Sequence, residues 1–329
     1  MSENIYNELA HKSILITGAT GLIGSSLVKN LLDRNLPVHI IGVARSREKA
    51  EAALGEYLKR AELEMIFCDD IVNLSLEGRQ IDYIIHAANP TASKFFVNNP
   101  VETMLTSVEG TSRLLAFARE AKAEGMVFLS TMEVYGTPTK GSKIDESNIG
   151  LFDPLNARNS YPLGKLACEN LCFGYASEYG VPVKVARLTQ TFGPGVEYND
   201  GRVFAEFARC AIEKRDIVLK TKGLTERCYL YTDDAVEAII TILLRGEAGQ
   251  AYTVANEETY CSIYEMASMV ADKHGIRVEI QEDDIAKYGY ANVLYMDLDT
   301  SKLKALGWKP QTDLESMFDN LIEYMSNNK

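Results

Sequence analysis

Three glycines set at a fixed interval directly behind a short apolar run constrain this chain more than any other feature. The segment SILITGATGLIG spans Ser13 to Gly24. Ile14, Leu15 and Ile16 read as a parallel strand buried on both faces, and Gly18, Gly21 and Gly24 follow at spacings of three. Behind them Leu22, Ile23, Leu27, Val28, Leu31 and Leu32 form the apolar side of a helix. Strand, glycine turn and helix in that order let backbone N–H groups and the positive helix end approach a pyrophosphate. A glycine pattern alone is weak evidence, but with both flanking elements it calls for an α/β fold built on a doubly wound parallel sheet.

A second stretch carries the candidate chemistry. LSTMEVYG runs from Leu129 to Gly136, and SYPLGK from Ser160 to Lys165. Tyr161 and Lys165 are four apart, so on a helix they share a face, with the ammonium near the phenol. A free phenol titrates near pH ~10, and a neighbouring ammonium favours phenolate, which can then exchange a proton with a substrate hydroxyl. Thr131 offers a hydroxyl to the same oxygen. A lone Tyr-x-x-x-Lys is usually a surface pair; here it accompanies the glycine motif.

Composition narrows the classes. A formal net charge of −12 argues against non-specific nucleic-acid binding, so an anionic ligand must be held by local Arg and Lys. The six cysteines contain no Cys-x-x-Cys pair and the four histidines no cluster, which predicts neither a metal centre nor a disulfide framework. The polar start MSENIYNELAHK has no apolar signal core, and no run reaches the ~20 apolar residues of a membrane span. These readings predict a soluble, cytoplasmic protein with no membrane partner. A length of 329 residues suits one large α/β domain, expected over 1–192 and about 230–250, and a smaller lobe over 193–229 and 251–329.

Taken together, TGATGLIG, HAA (His86 to Ala88), STMEVYG, YPLGK and TFGPG (Thr191 to Gly195) resemble the extended short-chain dehydrogenases that modify nucleotide sugars, the NAD-dependent epimerase/dehydratase family. The resemblance runs nearly end to end. It implies a Rossmann-type sheet with a smaller α/β substrate domain, a nucleotide-diphosphate sugar as substrate and a homodimer formed through two helices per subunit. The dinucleotide would be held by Gly18, Gly21, Leu22, Ile23 and Gly24, by Asp70 and Ile71 at the adenine, by small Ala87 and Ala88, and by Tyr161 and Lys165. At the end of the second strand stand Arg45, Ser46 and Arg47, with no acid before Glu48. An acid there would bond an unphosphorylated ribose, whereas Arg accommodates a 2′-phosphate. The cofactor is therefore NADP or NAD, with Arg45 and Arg47 favouring NADP.

For the substrate the resemblance points to Thr131, Met132, Glu133, Gln190, Arg202 and Arg227. NDGRV, from Asn199 to Val203, looks like the same loop in UDP-glucuronate decarboxylases, which makes Arg202 a candidate nucleotide or phosphate contact. Arg227 matches the Arg that faces the diphosphate or sugar carboxylate, where a forked guanidinium fits either group. Ser107 and Gln190 stand where family members usually carry Asn. His86 and Trp308 read as packing residues, and Asp233 to Leu244 as a return to the first domain.

The implied opening step has Tyr161 taking the proton of the hydroxyl on sugar carbon 4 as hydride leaves for the nicotinamide. Lys165 would lower the phenol's pKa and hold the ribose, and Thr131 would orient the hydroxyl. Residues 131 to 133 separate the outcomes. The family's 4,6-dehydratases carry Thr-Asp-Glu and its decarboxylases Thr-Ser-Glu, whereas this chain has Met132, which donates no proton, and keeps Glu133. The reading is a UDP-glucuronate decarboxylase-like enzyme with catalytic Thr131, Tyr161, Lys165 and Glu133. A 4-epimerase, a 4,6-dehydratase, an NADPH-dependent keto-sugar reductase and a cofactor-sensing regulator remain open beside it.

Overall fold

The computed structural model describes residues 5–90, 93–282 and 293–329; the first four residues of the polar N-terminal segment and 283–292 lie outside the described residues. In chain order the strands are β1 (Ser13–Thr17), β2 (His39–Ala44), β3 (Leu63–Phe67), β4 (Tyr83–His86), β5 (Gly125–Thr131), β6 (Lys143–Ile144) and β7 (Val183–Leu188). They continue as β8 (Gln190–Phe192), β9 (Ile217–Leu219), β10 (Glu226–Tyr231), β11 (Ala251–Val254), β12 (Asn256–Ser262), β13 (Val278–Ile280) and β14 (Tyr295–Leu298).

Seven strands form one parallel sheet in the order β3-β2-β1-β4-β5-β7-β11. Alternation along each strand explains why both faces are covered. Ile14, Ile16, Ile85, Val127 and Leu129 point to one side, against the helices Leu22–Asp33 and Thr232–Arg245. Leu15, Ile84, Met126 and Phe128 point to the other, against Pro100–Glu120 and Ser160–Tyr179. A strand apolar on both faces is buried only by helices on both sides, which is the doubly wound arrangement. The strand order reverses between β1 and β4, and that opens a crevice beyond their carboxyl ends.

The smaller lobe is built on a second sheet, β12-β10-β14-β6 with β8 also paired to β10. Its core gathers Phe192, Phe204, Tyr229, Met266 and Phe318. Two segments sit differently from the boundaries read in the sequence. Ala251–Val254, assigned there to the smaller lobe, is the outer strand of the large sheet, because Tyr252 and Val254 complete the apolar cluster against Thr232–Arg245. The 192/193 boundary falls just past a crossing between sheets, since Val183–Leu188 pairs in the large sheet and Gln190–Phe192 with β10 in the second. The chain crosses over at Thr189, whose hydroxyl donates to the Cys228 carbonyl at 2.6 Å and stitches the crossing to β10. Trp308 is buried, its indole N–H donating to the Asp234 carbonyl at 3.1 Å. Among the described residues no helix is long and apolar enough to cross a membrane.

Candidate active site

The glycine turn makes a cradle at the crevice. Gly18 has φ of +68°, and a Cβ there would lie 2.8 Å from the Ala88 nitrogen, so only glycine passes this close to the end of β4. A Cβ on Gly24 would lie 2.1 Å from the Gly18 carbonyl oxygen, which is why helix and turn can touch. The helix opens at Leu22 with Gly21 before it, no side chain capping its first turn and no acid in that turn. Its leading N–H groups are therefore available to an anion. Ala88 N donates to the Thr17 hydroxyl at 3.3 Å, fixing the small-residue wall opposite. These residues fit a dinucleotide pyrophosphate. Leu22 packs toward the smaller lobe's core and Ile23 toward the large one, so the helix start also ties the lobes together.

The other cofactor candidates lie along the same sheet edge. Arg45 is exposed just past β2, and Arg47, also exposed, rests over the Phe67 ring at 4.6 Å. Asp70 accepts from the Val72 N–H at 3.0 Å, which fixes the turn after β3, and Ile71 packs beside Gly110. Asp70 also lines a cavity of about 510 Å³ shared with Asn98, Pro100 and Leu105.

Tyr161, Thr131 and Glu133 come together where β5 ends. The Thr131 hydroxyl accepts from the Glu133 N–H at 3.2 Å and is near enough to the Tyr161 phenol to draw its pKa down. Tyr161 is 8% exposed and stacks on Phe96, centroids 4.2 Å apart and planes within 4°. Burial first, and then the charge of Glu133, nevertheless push the phenol above its ordinary 10, with Thr131 and Arg158 pulling the other way. Lys165 does not supply the pull expected of it. Its ammonium donates to the Leu129 carbonyl at 2.6 Å and lies 6.0 Å from the Tyr161 ring centroid. Burial lowers Lys165 itself to about 8, against the opposing influence of Cys168, Glu169 and Cys172. His86 is buried between the hydroxyls of Thr17 at 2.8 Å and Thr111 at 3.3 Å, and burial, with the Lys165 charge second, takes it down to about 3. It is a neutral packing group. Ser107 donates to the Asn89 side-chain oxygen at 2.8 Å.

Met132 departs from the place the sequence reading gave it among the substrate contacts. It is 5% exposed, its sulfur lies 3.2 Å from the Thr189 hydroxyl, whose proton goes to the Cys228 carbonyl, and its neighbours are Val134, Tyr135, Cys228 and Met296. A thioether prefers that apolar cluster to a wet cleft. Gln190 and Arg227 lie on paired strands, with Gln190 level with Tyr229 and Arg227 two residues earlier on β10. The Gln190 side-chain oxygen and Arg227 Nε are buried with no hydrogen-bond partner among the described residues. Buried polar atoms are rarely left so, and a polar ligand would satisfy both. Arg202 is instead engaged by Asp200 in a forked pair, 2.6 Å at its shortest, on the surface.

Sequence reasoning passed over two charged pairs. Arg158 binds Glu133 at 2.9 Å and lies over Phe96. Arg187 on β7 forks onto Glu169 at 2.7 Å, and Ser130, next to Thr131, donates to the same carboxylate at 2.5 Å. Glu169 follows Lys165 by one helical turn, so stepping along that face would have found it. Arg158 and Arg187 carry no such spacing signal, since their partners are distant in sequence.

The NAD dependent epimerase/dehydratase family matches residues 14–256. The chain belongs to that family. It is thus an NAD-dependent enzyme. UDP-glucuronic acid decarboxylase 1 of Danio rerio is 29% identical over 325 residues, covering 97% of this chain and 74% of the relative. An epimerase from Methanothermobacter thermautotrophicus superimposes with a TM-score of 0.84 at 22% identity, over 100% of this chain and 96% of the other. A UDP-glucuronic acid 4-epimerase of Bacillus cereus, in complex with UDP-glucuronic acid and NAD, gives 0.81 at 21%, over 96% and 100%.

Proposed function

We propose that this chain oxidises carbon 4 of a UDP-linked uronic acid and releases the carboxylate as carbon dioxide, a UDP-glucuronate decarboxylase-like reaction. The observation that carries the reading is the meeting of Tyr161, Thr131 and Glu133 at the end of β5 while Met132 turns away into the apolar cluster. Gly18, Gly21, Leu22, Ile23 and Gly24 would hold the pyrophosphate of NAD, Asp70 and Ile71 the adenine, and Ala87, Ala88 and Lys165 the nicotinamide end. Hydride acceptance and return at sugar carbon 4 is the chemistry that NAD supplies when bound.

The remaining work falls to side chains. Tyr161 takes the proton of the carbon-4 hydroxyl, and the Thr131 hydroxyl orients that oxygen. Lys165, lowered to about 8 by burial and held by the Leu129 carbonyl, stands one helical turn beyond Tyr161. Arg227 Nε would donate to the sugar carboxylate or diphosphate, and the Gln190 side-chain oxygen would accept from a sugar hydroxyl. A 4-keto uronate is a β-keto acid, so its carboxylate departs as carbon dioxide without a proton donor on the leaving group, the electron pair of the broken carbon 5–carbon 6 bond passing into an enolate of the 4-keto group that then takes a proton at carbon 5. Water loss needs such a donor, and Met132 cannot be one. The decarboxylase relative supports the same choice.

The test is incubation with UDP-glucuronate and catalytic NAD, read by mass spectrometry. A UDP-pentose with carbon dioxide is expected. UDP-galacturonate would make the enzyme a 4-epimerase, and unchanged substrate would remove the reading altogether. Exposed Arg45, with no acid at the end of β2, supports acceptance of a 2′-phosphate; Arg45→Gln should then weaken NADP more than NAD in a binding titration. Exposed Val101 and Leu105 on one helix and Phe173 and Tyr179 on the other support a homodimer through these elements, to be checked by light scattering.

A further inference from the structure

We propose that Arg158 is a positioning residue of this centre, which holds the Glu133 carboxylate in place and balances its charge where it faces Tyr161. The inference rests on the reading of Tyr161 as proton acceptor. Arg158 sits in a single tight turn, Ala157–Asn159, immediately before the helix that carries Tyr161. The Asn156 side chain accepts from the Arg158 N–H at 3.0 Å and sets that turn. From there the guanidinium reaches both oxygens of Glu133, at 3.1 and 2.9 Å. It also lies 5.0 Å from the centroid of Phe96, whose ring stacks on Tyr161. Guanidinium and phenol thus both lie against the Phe96 ring, and the Glu133 carboxylate is held at the guanidinium.

This geometry does two things. It restrains Glu133, because one guanidinium nitrogen, Nη2, lies within reach of both carboxylate oxygens. It also places a positive charge against Glu133, the carboxylate that, among the described residues, bears on the phenol. The charged and titratable groups facing Tyr161 are Glu133 from the turn after β5, Arg158 from the preceding turn and Lys165 from its own helix, with His86 neutral behind Lys165. Of these, Glu133 raises the phenol's pKa and Arg158 lowers it. With Lys165 committed to the Leu129 carbonyl, Arg158 is the cation that decides how strongly Glu133 opposes ionisation of Tyr161.

The experiment titrates Tyr161 directly. The full chain, saturated with NAD, is labelled with 3-fluorotyrosine, whose phenol ionises at lower pH than tyrosine's, and followed by fluorine NMR; Tyr161→Phe assigns the resonance. Arg158→Gln should move its midpoint up by about one pH unit, the scale of a close opposite charge. Arg158→Lys should recover most of that shift, and Glu133→Gln should move the midpoint down. An arginine that merely supports the fold would leave the titration where it is, so coincident midpoints for wild type and Arg158→Gln overturn the proposal. Should Arg158→Gln not fold, an unchanged or raised midpoint in Glu133→Gln overturns it by itself. Turnover of UDP-glucuronate does not enter this readout, so the functional reading can fail while the assignment of Arg158 stands.

Discussion

Glu169→Ala should be among the most destabilising single changes in the chain, and its cost can be worked from the contacts. The carboxylate accepts from Arg187 Nε at 3.1 and 3.2 Å, from Arg187 Nη2 at 2.7 Å and from the Ser130 hydroxyl at 2.5 Å. The side chains are only 6% and 10% exposed. Truncation leaves the guanidinium buried with the Glu146 carbonyl at 3.0 Å and the nearby Tyr135 ring as its remaining company. Removing one member of a buried ion pair costs about 3–5 kcal/mol, most of it the stranded charge rather than the lost attraction. At about 2.1 cal/mol/K of unfolding entropy per residue, 329 residues give roughly 0.7 kcal/mol/K, so the midpoint should fall by about 4–7 °C. Denaturant unfolding supplies the free energy and calorimetry the temperature. The double change Glu169→Met with Arg187→Met removes both charges and should cost less than Glu169→Ala alone. A loss under about 1 kcal/mol for Glu169→Ala, or a double change as costly as the sum of its parts, would refute the stranded-charge argument.

Three further outcomes follow from the site. Tyr161→Phe should keep NAD binding, measured by fluorescence titration, and lose about 10²–10⁴-fold in turnover because the phenolic oxygen is the proton acceptor. Gly24→Ala should abolish NAD binding while leaving a folded chain by circular dichroism, since its Cβ would press on the Gly18 carbonyl oxygen and shift the turn. His86 should give the wild type an acid-sensitive limb. The unfolded chain takes up that proton near 6.5 and the folded chain only near about 3, so its contribution is present above 6.5 and is lost as pH falls through that window. His86→Asn should lack that part of the slope in denaturant titrations between those pH values, whatever its effect at pH 7.

Local patterns were enough for the strand, turn and helix at Ser13–Asp33 and for the shared face of Tyr161 and Lys165, because period and spacing are written in consecutive residues. They were also enough for the doubly wound parallel sheet as a class, since strands apolar on both faces need helices on both sides, but not for its outer strand Ala251–Val254. What they could not carry was direction and partnership. Whether the Lys165 ammonium turns to Tyr161 or to the Leu129 carbonyl, and whether Met132 faces a cleft or the cluster around Val134, depends on groups that arrive from other strands. The pairs Arg158 with Glu133 and Arg187 with Glu169 are 25 and 18 residues apart. Such charges meet only after the helix and sheet have packed, and it is burial at that stage that sets the pKa of Tyr161, Lys165 and His86. Residue types and their spacing determined which chemistry the chain can hold; the packed structure decided which charge stands beside which, because electrostatic interactions depend on distance and on exclusion of water, and neither exists in an unfolded sequence.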